Sequence, residues 1–179
     1  MKRLVITAAI AFAAALLFVS AAFADRDGAR RITVSDDCDA ATFNNAGLGA
    51  ICDPSAGGET TFADFIAEVA ANKAAEDWEF DPGKTSVKSG ATLNLRNVGG
   101  EFHTFTQVAN FGPGLVPPLN ELVFGVPGPP LPEFTGPNGP GNPLPPGTRL
   151  SIQAPTAPGT YKFQCGIHPW MRTVLKVRR

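Results

Sequence analysis

Hydrophobic residues form one block at the start of the chain and are later spaced at helical and then at strand intervals. Lys2 and Arg3 precede the block, which begins at Leu4 and ends at the small-x-small triplet of residues 22–24. This arrangement is typical of a secretory signal peptide, and it predicts cleavage after Ala24. An uncleaved membrane anchor is the alternative, because the block is long enough to span a bilayer.

Apolar residues recur every three or four positions in TTFADFIAEVAANKAAEDW, residues 60–78. Four of them share one helical face: Phe62, Phe65, Ile66 and Val69. Thr60 or Thr61 can accept hydrogen bonds from first-turn amides, and Asp64 is favourable near a helix N-terminus. The segment is therefore predicted to form a short helix whose apolar face packs on a sheet.

Alternation with a period of two replaces the helical spacing after Trp78. Leu93 and Leu95 alternate with polar neighbours, and Pro/Gly and Ser/Gly turn signals separate the short runs. Further strand-like runs are EFHTFTQV (101–108), TYKFQC (160–165) and RTVLKV (172–177). The pattern predicts an all-β domain.

Residues 111–147 interrupt this pattern with twelve of the seventeen prolines and eight of the nineteen glycines. Proline lacks the N–H group that an inner strand donates, so a long insert is predicted here. One short strand is expected inside it, at ELVFGV (121–126). The apolar residues of the insert predict that it packs on the domain.

Composition and charge narrow the class of protein. Without Lys2 and Arg3 the chain keeps 13 basic and 16 acidic residues and has no basic stripe, so nucleic-acid binding is not expected. No second apolar run is long enough to span a membrane. The length fits one domain, with residues 25–77 as an N-terminal extension and residues 78–179 as the main domain.

The three cysteines divide into a close pair and a single residue. Export would place the pair in an oxidising compartment, so the simplest assignment is a Cys38–Cys52 disulfide. A loop of this size would stabilise the fold by roughly 3 kcal/mol. Cys165 then stays unpaired, which leaves a reactive thiol, a metal ligand or an ordinary buried cysteine as its interpretations.

Soft metal ligands are scarce in the chain, yet nearly all of them lie beside predicted strands. His103 and His168 are the two histidines, and Met171 is the one methionine besides Met1. Alternation along TYKFQC turns Cys165 toward the core. Two imidazoles and a thiolate, with a weak axial thioether, form the ligand set of a blue-copper site.

The turn CGIHPWM, residues 165–171, can bring His168 and Met171 back to the same point as Cys165. Gly166 permits a tight turn, and Pro169 stiffens the chain after the histidine. Ordinary hydrogen-bonded histidines and a methionine that fills a gap in the core are the alternatives to a metal site.

This turn resembles the copper loop of the cupredoxins, the plastocyanin, azurin, amicyanin and pseudoazurin family. The motif C-x-x-H-P-aromatic-M is most similar to the short-loop amicyanin type, and the sequence that leads to the first histidine also resembles the family. The resemblance covers about residues 78–179 and implies a Greek-key β-sandwich, here with one short N-terminal helix and the Pro/Gly-rich insert. It implies one type 1 copper per chain, held by four ligands: His103, Cys165, His168 and Met171.

The resemblance also implies a function that is not enzymatic. Copper would cycle between Cu(I) and Cu(II) and carry single electrons between a donor and an acceptor redox protein. Electrons would pass through the solvent edge of His168, where Pro169 and Trp170 form part of an apolar patch suited to brief encounters. Hydrogen bonds to the Cys165 sulfur would tune the reduction potential, and Thr104 is expected close to the site.

Other functions stay open at the level of sequence. A copper carrier or storage protein would use the same ligands, and a partner-binding module would depend mainly on the insert. A Cys165–His168 nucleophilic pair would need an orienting group and an oxyanion hole, which the sequence does not indicate. We expect a periplasmic or extracellular monomer without stable membrane insertion after signal cleavage.

Overall fold

The computed structural model describes residues 29–137 and 139–179, so the predicted signal peptide lies outside the described residues. The described residues form ten strands and four helices. In chain order these are β1 (Arg30–Ser35), α1 (Ala40–Asn44), α2 (Phe62–Asn72), β2 (Glu79–Asp81), β3 (Lys84–Lys88), β4 (Thr92–Asn97), β5 (His103–Thr104), β6 (Thr106–Val108), α3 (Pro117–Phe124), α4 (Pro132–Thr135), β7 (Pro143–Leu144), β8 (Arg149–Gln153), β9 (Gly159–Gln164) and β10 (Arg172–Arg178).

Two four-stranded sheets share one hydrophobic core. The first has the strand order β2-β1-β4-β8, the second has the order β3-β10-β9-β6, and β5 pairs separately with β7. β1 runs parallel to β4, and β3 runs parallel to β10, while the other pairs within the two sheets are antiparallel. Ile32 and Leu95 of the first sheet and Phe163 and Leu175 of the second belong to the same buried cluster. The predicted two-sheet β fold is confirmed.

The predicted helix over the TTFADFIAEVAANKAAEDW segment is confirmed as α2. The Thr61 hydroxyl accepts a hydrogen bond from the Asp64 amide at 3.2 Å, which caps the N-terminus. Lys73 takes a left-handed conformation with φ of 64°, and the helix therefore ends well before Trp78. Phe65 and Val69 are buried, as the helical spacing predicted.

Four helices are present where one N-terminal helix was expected. The additional short helix α1 precedes α2, and the insert contains α3 and α4. No helix among residues 29–137 and 139–179 is long and apolar enough to cross a membrane.

The prediction of a strand at ELVFGV is wrong, because most of this segment belongs to α3. Pro117 and Pro118 occupy the first helical positions, where no N–H group has to be donated within the helix. Gly125 ends the helix in a left-handed conformation with φ of 78°. The insert packs on the domain as expected, with Phe134 and Leu144 buried.

The N-terminal segment contributes an inner strand that alternation did not reveal. β1 lies between β2 and β4, with Ile32 and Val34 fully buried. The predicted Cys38–Cys52 disulfide is formed shortly after this strand, and both cysteines are buried. The segment before Trp78 is therefore joined to the sandwich by both strand pairing and core packing.

Candidate metal centre

Three of the four predicted metal ligands converge at one end of the sandwich. His103 lies on β5, Cys165 directly follows β9, and His168 lies in the turn that leads to β10. Each offers one ligand atom, and these atoms all lie within 4.8 Å of one another. The side chains are buried, with exposed fractions of 0, 0 and 2 % respectively.

The turn between β9 and β10 is closed by its own backbone. The Cys165 amide donates to the Met171 carbonyl at 3.0 Å, and the Met171 amide donates to the His168 carbonyl at 3.0 Å. These bonds place Met171 at the base of the turn, with a side chain that is 1 % exposed. Its role as an axial ligand stays a prediction.

Two backbone amides point at the Cys165 sulfur. The Thr104 amide lies 3.5 Å from Sγ and the Ile167 amide lies 3.4 Å from it. The Thr104 hydroxyl also accepts a hydrogen bond from the Gly166 amide at 2.8 Å, which joins β5 to the turn. Amide hydrogen bonds favour the thiolate over the thiol, because they stabilise negative charge on sulfur.

A buried carboxylate holds the ring of His103. Its Nδ1 atom lies 3.9 Å from the Cys165 sulfur, and its Nε2 atom lies 2.8 Å from Oδ2 of Asp36. The Asp36 side chain is fully buried, and it also accepts hydrogen bonds from the amides of Gly100 and Glu101. The ring is therefore oriented with Nδ1 toward the centre of the cluster.

A second carboxylate stands behind His168. Nε2 of this histidine lies 3.4 Å from Oε2 of Glu101, and the Trp78 indole N–H donates to the same oxygen. Nδ1 of His168 is buried without a hydrogen-bond partner among the described residues. An unpaired buried polar atom is costly, and a metal ion in the cluster would give this nitrogen a partner. The donor set therefore fits a soft metal ion.

The ionisation of the cluster favours metal binding. Burial alone would raise the pKa of Cys165, but the hydrogen bond from His103 and the charges of His103 and His168 lower it well below its usual value. Burial alone would lower the pKa of His168, but the Glu101 carboxylate and Cys165 raise it to about 10. A lowered Cys165 pKa favours the thiolate, which is the form that ligates a metal, and a metal cation at His168 would take the place of a proton on the ring.

The expectation that one edge of the His168 ring faces solvent is wrong, because the ring is buried. The Phe65 ring packs edge-on against it with centroids 6.2 Å apart, and the Trp170 ring lies 5.5 Å away. Phe65 belongs to α2, so the cover comes from the N-terminal segment. The C-x-x-H motif contains no information about a helix that begins about a hundred positions earlier.

The insert contacts the outer side of the same turn. The Leu115 amide donates to the Gly166 carbonyl, and the Gln164 side chain exchanges hydrogen bonds with the Gly112 backbone at 2.7 and 3.1 Å. Gln164 is fully buried. The insert therefore constrains the turn that carries three of the four predicted ligands.

Neither Asp36 nor Glu101 was predicted from the sequence to lie at the site. Glu101 could have been noticed, since it stands two positions before His103. Asp36 gives no such signal, because it lies far from the motif along the chain. The glycine pair before Glu101 makes room for Asp36 and the disulfide: a Cβ at Gly99 would overlap the Asp36 carboxylate, and one at Gly100 would lie 2.7 Å from the Cys38 sulfur.

A buried His–Cys–His cluster on a two-sheet β fold fits a type 1 copper site, the kind of site found in cupredoxins. No protein-family model and no curated protein matches the chain. Solved structures do match, and cupredoxins are prominent among them.

Three of these structures show the range of the similarity. A purple cupredoxin from Nitrosopumilus maritimus is 15 % identical, with a TM-score of 0.43, over 83 % of this chain and 99 % of that chain. An oxidized amicyanin mutant is 16 % identical, with a TM-score of 0.41, over 88 % of both chains. A Cu-containing nitrite reductase from Thermus scotoductus is 21 % identical, with a TM-score of 0.35, over 56 % of this chain and 20 % of that chain.

Proposed function

We propose that the chain binds one type 1 copper ion and carries single electrons between redox proteins. The observation that supports this most directly is the convergence of one thiolate and two imidazoles within 4.8 Å in a buried site. This donor set suits copper, with His103, Cys165 and His168 as the trigonal ligands and Met171 as the weak axial one. Copper bound there would supply a one-electron couple between Cu(I) and Cu(II).

The residues around the cluster keep the ligands in place. Asp36 orients His103, Glu101 stands behind His168, and two amides hold the Cys165 sulfur. Ligands that are fixed before the metal binds move little when the charge of the metal changes. This rigidity supports electron transfer as the function, because a small structural change lowers the barrier to the transfer of an electron.

The burial of the proposed ligands argues against copper carriage and against nucleophilic catalysis as the function. Copper carriage requires ligands that an incoming partner can reach, whereas none of the four proposed ligands is more than 2 % exposed. Nucleophilic catalysis requires a substrate to reach the Cys165 sulfur, and this side chain is fully buried. We therefore favour electron transfer without catalysis.

We further propose that the protein works as a monomer outside the cytoplasm, in the periplasm or the extracellular space. The Cys38–Cys52 disulfide supports this location, because such bonds persist mainly in oxidising compartments. The signal-peptide pattern of residues 1–24 supports export. The proposed partners are a donor and an acceptor redox protein, without nucleic acid or stable membrane insertion.

The test is to titrate the purified protein with Cu(II) and to record the visible spectrum and a voltammogram. We expect intense thiolate-to-copper absorption at one equivalent, and a reversible one-electron wave. Cys165→Ser should abolish the absorption, whereas the double variant Cys38→Ser with Cys52→Ser is the matched control and should keep it. Colour that survives in Cys165→Ser would contradict the copper site, and colour without a reversible wave would contradict electron transfer.

A further inference from the structure

An apolar pocket of about 910 Å³ lies directly beside the metal centre. Its walls come from α1, α2, the insert and the turn after β9. The main apolar contributors are Phe43, Phe62, Phe65, Leu119 and Ile167. His168 also lines the pocket, so a bound molecule would lie against one of the proposed metal ligands. The volume falls within the range of about 300–1,000 Å³ that is usual for small-molecule sites.

Glu101 supplies a hydrogen-bond acceptor in this apolar surface. Its side chain lines the pocket and is 9 % exposed. Oε2 is occupied by the Trp78 indole and by the His168 ring, whereas Oε1 has no hydrogen-bond partner among the described residues. A ligand that donates a hydrogen bond would therefore find a carboxylate oxygen available beside the aromatic walls.

The charge of the lining selects among ligands. Asp53 and Glu101 are acidic, and no lysine or arginine among residues 29–137 and 139–179 lines the pocket. The His168 ring offsets the charge of Glu101, whereas no lysine or arginine of the described lining lies near Asp53, so the charge of Asp53 disfavours an anionic ligand. A purely aliphatic or unsubstituted ligand would leave the Glu101 oxygen without a partner.

We propose that this pocket binds a small neutral aromatic molecule whose hydroxyl or amino group donates a hydrogen bond to Glu101. The aromatic walls accept a flat ring, because offset and edge-on contacts between rings add to the burial of apolar surface. The proposal does not depend on the metal: the binding can be measured with or without copper, and its failure would leave the copper site untouched.

The probes are three naphthalenes of the same ring shape, measured by isothermal titration calorimetry with the full protein. 1-Naphthol donates a hydrogen bond, naphthalene does not, and 1-naphthoate carries a negative charge. We expect 1-naphthol to bind with a stoichiometry of one and about tenfold more tightly than naphthalene, since hydrogen bonds to charged groups are strong. 1-Naphthoate should bind more weakly than 1-naphthol.

Two matched variants locate the binding. Ala50 lines the pocket and is exposed, so Ala50→Trp should fill the pocket and abolish binding without disturbing the core. Ala157 is also exposed but does not line the pocket, and Ala157→Trp should bind 1-naphthol as the unchanged protein does. Glu101→Gln should reduce the preference for 1-naphthol over naphthalene several-fold.

Three results would overturn the proposal. They are the absence of 1-naphthol binding, binding that Ala50→Trp leaves unchanged, and equal affinity for 1-naphthol and naphthalene. Circular dichroism of each variant checks that any loss of binding is not a loss of fold.

Discussion

The carboxylate of Asp36 and the imidazole of His103 are 2.8 Å apart, although the two residues are far apart in the sequence. The contact occupies Nε2 of the histidine and leaves Nδ1 to face the Cys165 sulfur. A carboxylate in this position fixes the tautomer of a ligating histidine and raises its basicity. The residue after β1 is thus part of the support of the proposed copper site.

Replacement of Asp36 should weaken the metal site without removing a ligand. Asp36→Asn replaces the negatively charged carboxylate by a neutral amide, and we expect copper affinity to fall by about 10–100-fold. Competition with a chelator measures this affinity. Asp77→Asn is the control, because Asp77 is exposed, and it should bind copper like the unchanged protein. Equal affinities for the two variants would show that Asp36 does not support the ligand.

Asp36 should also make stability depend on pH. Burial alone would raise the pKa of Asp36, but His103 and the amides of Glu101 and Gly100 hold it below its usual value. A lowered native pKa means that the carboxylate stabilises the fold above its unfolded pKa and loses this effect as the pH falls through the native pKa. The difference in the free energy of unfolding between the unchanged protein and Asp36→Asn should therefore shrink below about pH 4. A difference that stays constant from pH 7 to pH 2 would disagree with this account.

Uncovering His168 should speed electron exchange. Phe65 packs against its ring, so Phe65→Ala should expose an edge of the imidazole and increase the rate of reduction by a small soluble reductant. Phe62 lies on the same helix and packs against Phe43 and Phe65, so Phe62→Ala is the matched control. Each replacement should cost about 3–5 kcal/mol at most, since cavities of this size destabilise a core. Stopped-flow rates that change equally in both variants would argue against a specific cover.

The glycine at position 99 should not tolerate a side chain. A Cβ there would overlap the buried Asp36 carboxylate, and Gly99→Ala should destabilise the fold by about 1–3 kcal/mol and shift the visible spectrum of the copper form. A Cβ on Gly141 would meet nothing within 4 Å, so Gly141→Ala serves as the control. Thermal unfolding and absorption spectra of the two variants make the comparison. An unchanged spectrum in Gly99→Ala would show that Gly99 does not influence the metal site.

Loss of the disulfide should affect stability more than colour. Replacement of both Cys38 and Cys52 by alanine should lower the free energy of unfolding by roughly 3 kcal/mol in the chain-entropy model. The copper absorption should remain, because neither sulfur belongs to the metal cluster. Denaturant unfolding under oxidising and reducing conditions measures the loss, and reduction should destabilise only the protein that keeps both cysteines.

The sequence was informative where a residue's role depends on its near neighbours. Alternation in TYKFQC placed Cys165 inside, and the structure confirms that its side chain is fully buried. The spacing of Phe65 and Val69 predicted the buried face of α2, and its cap, predicted at Thr60 or Thr61, is Thr61. These features depend on strand and helix geometry over a few residues, which a single sequence displays directly.

The sequence was less informative where contacts join distant segments. β1 is short and begins with two arginines, so its alternation is visible only once its neighbours in the sheet are known. The ELVF run was predicted as part of a strand, but it is helical, because the two prolines that precede it occupy the first positions of α3. The burial of His168 depends on Phe65, whose packing partner cannot be read from helical spacing.

The support of the proposed ligands by distant carboxylates limits what a loop transplant can achieve. Grafting CGIHPWM onto another β-sandwich would transfer three of the proposed ligands but neither Asp36 nor Glu101. A hybrid of this kind should bind copper with properties set by its new host. To transfer the properties of this site, an engineer would have to graft the segments that contain Asp36 and Glu101 as well. These are the first strand with the residue after it, and the stretch that follows the glycine pair.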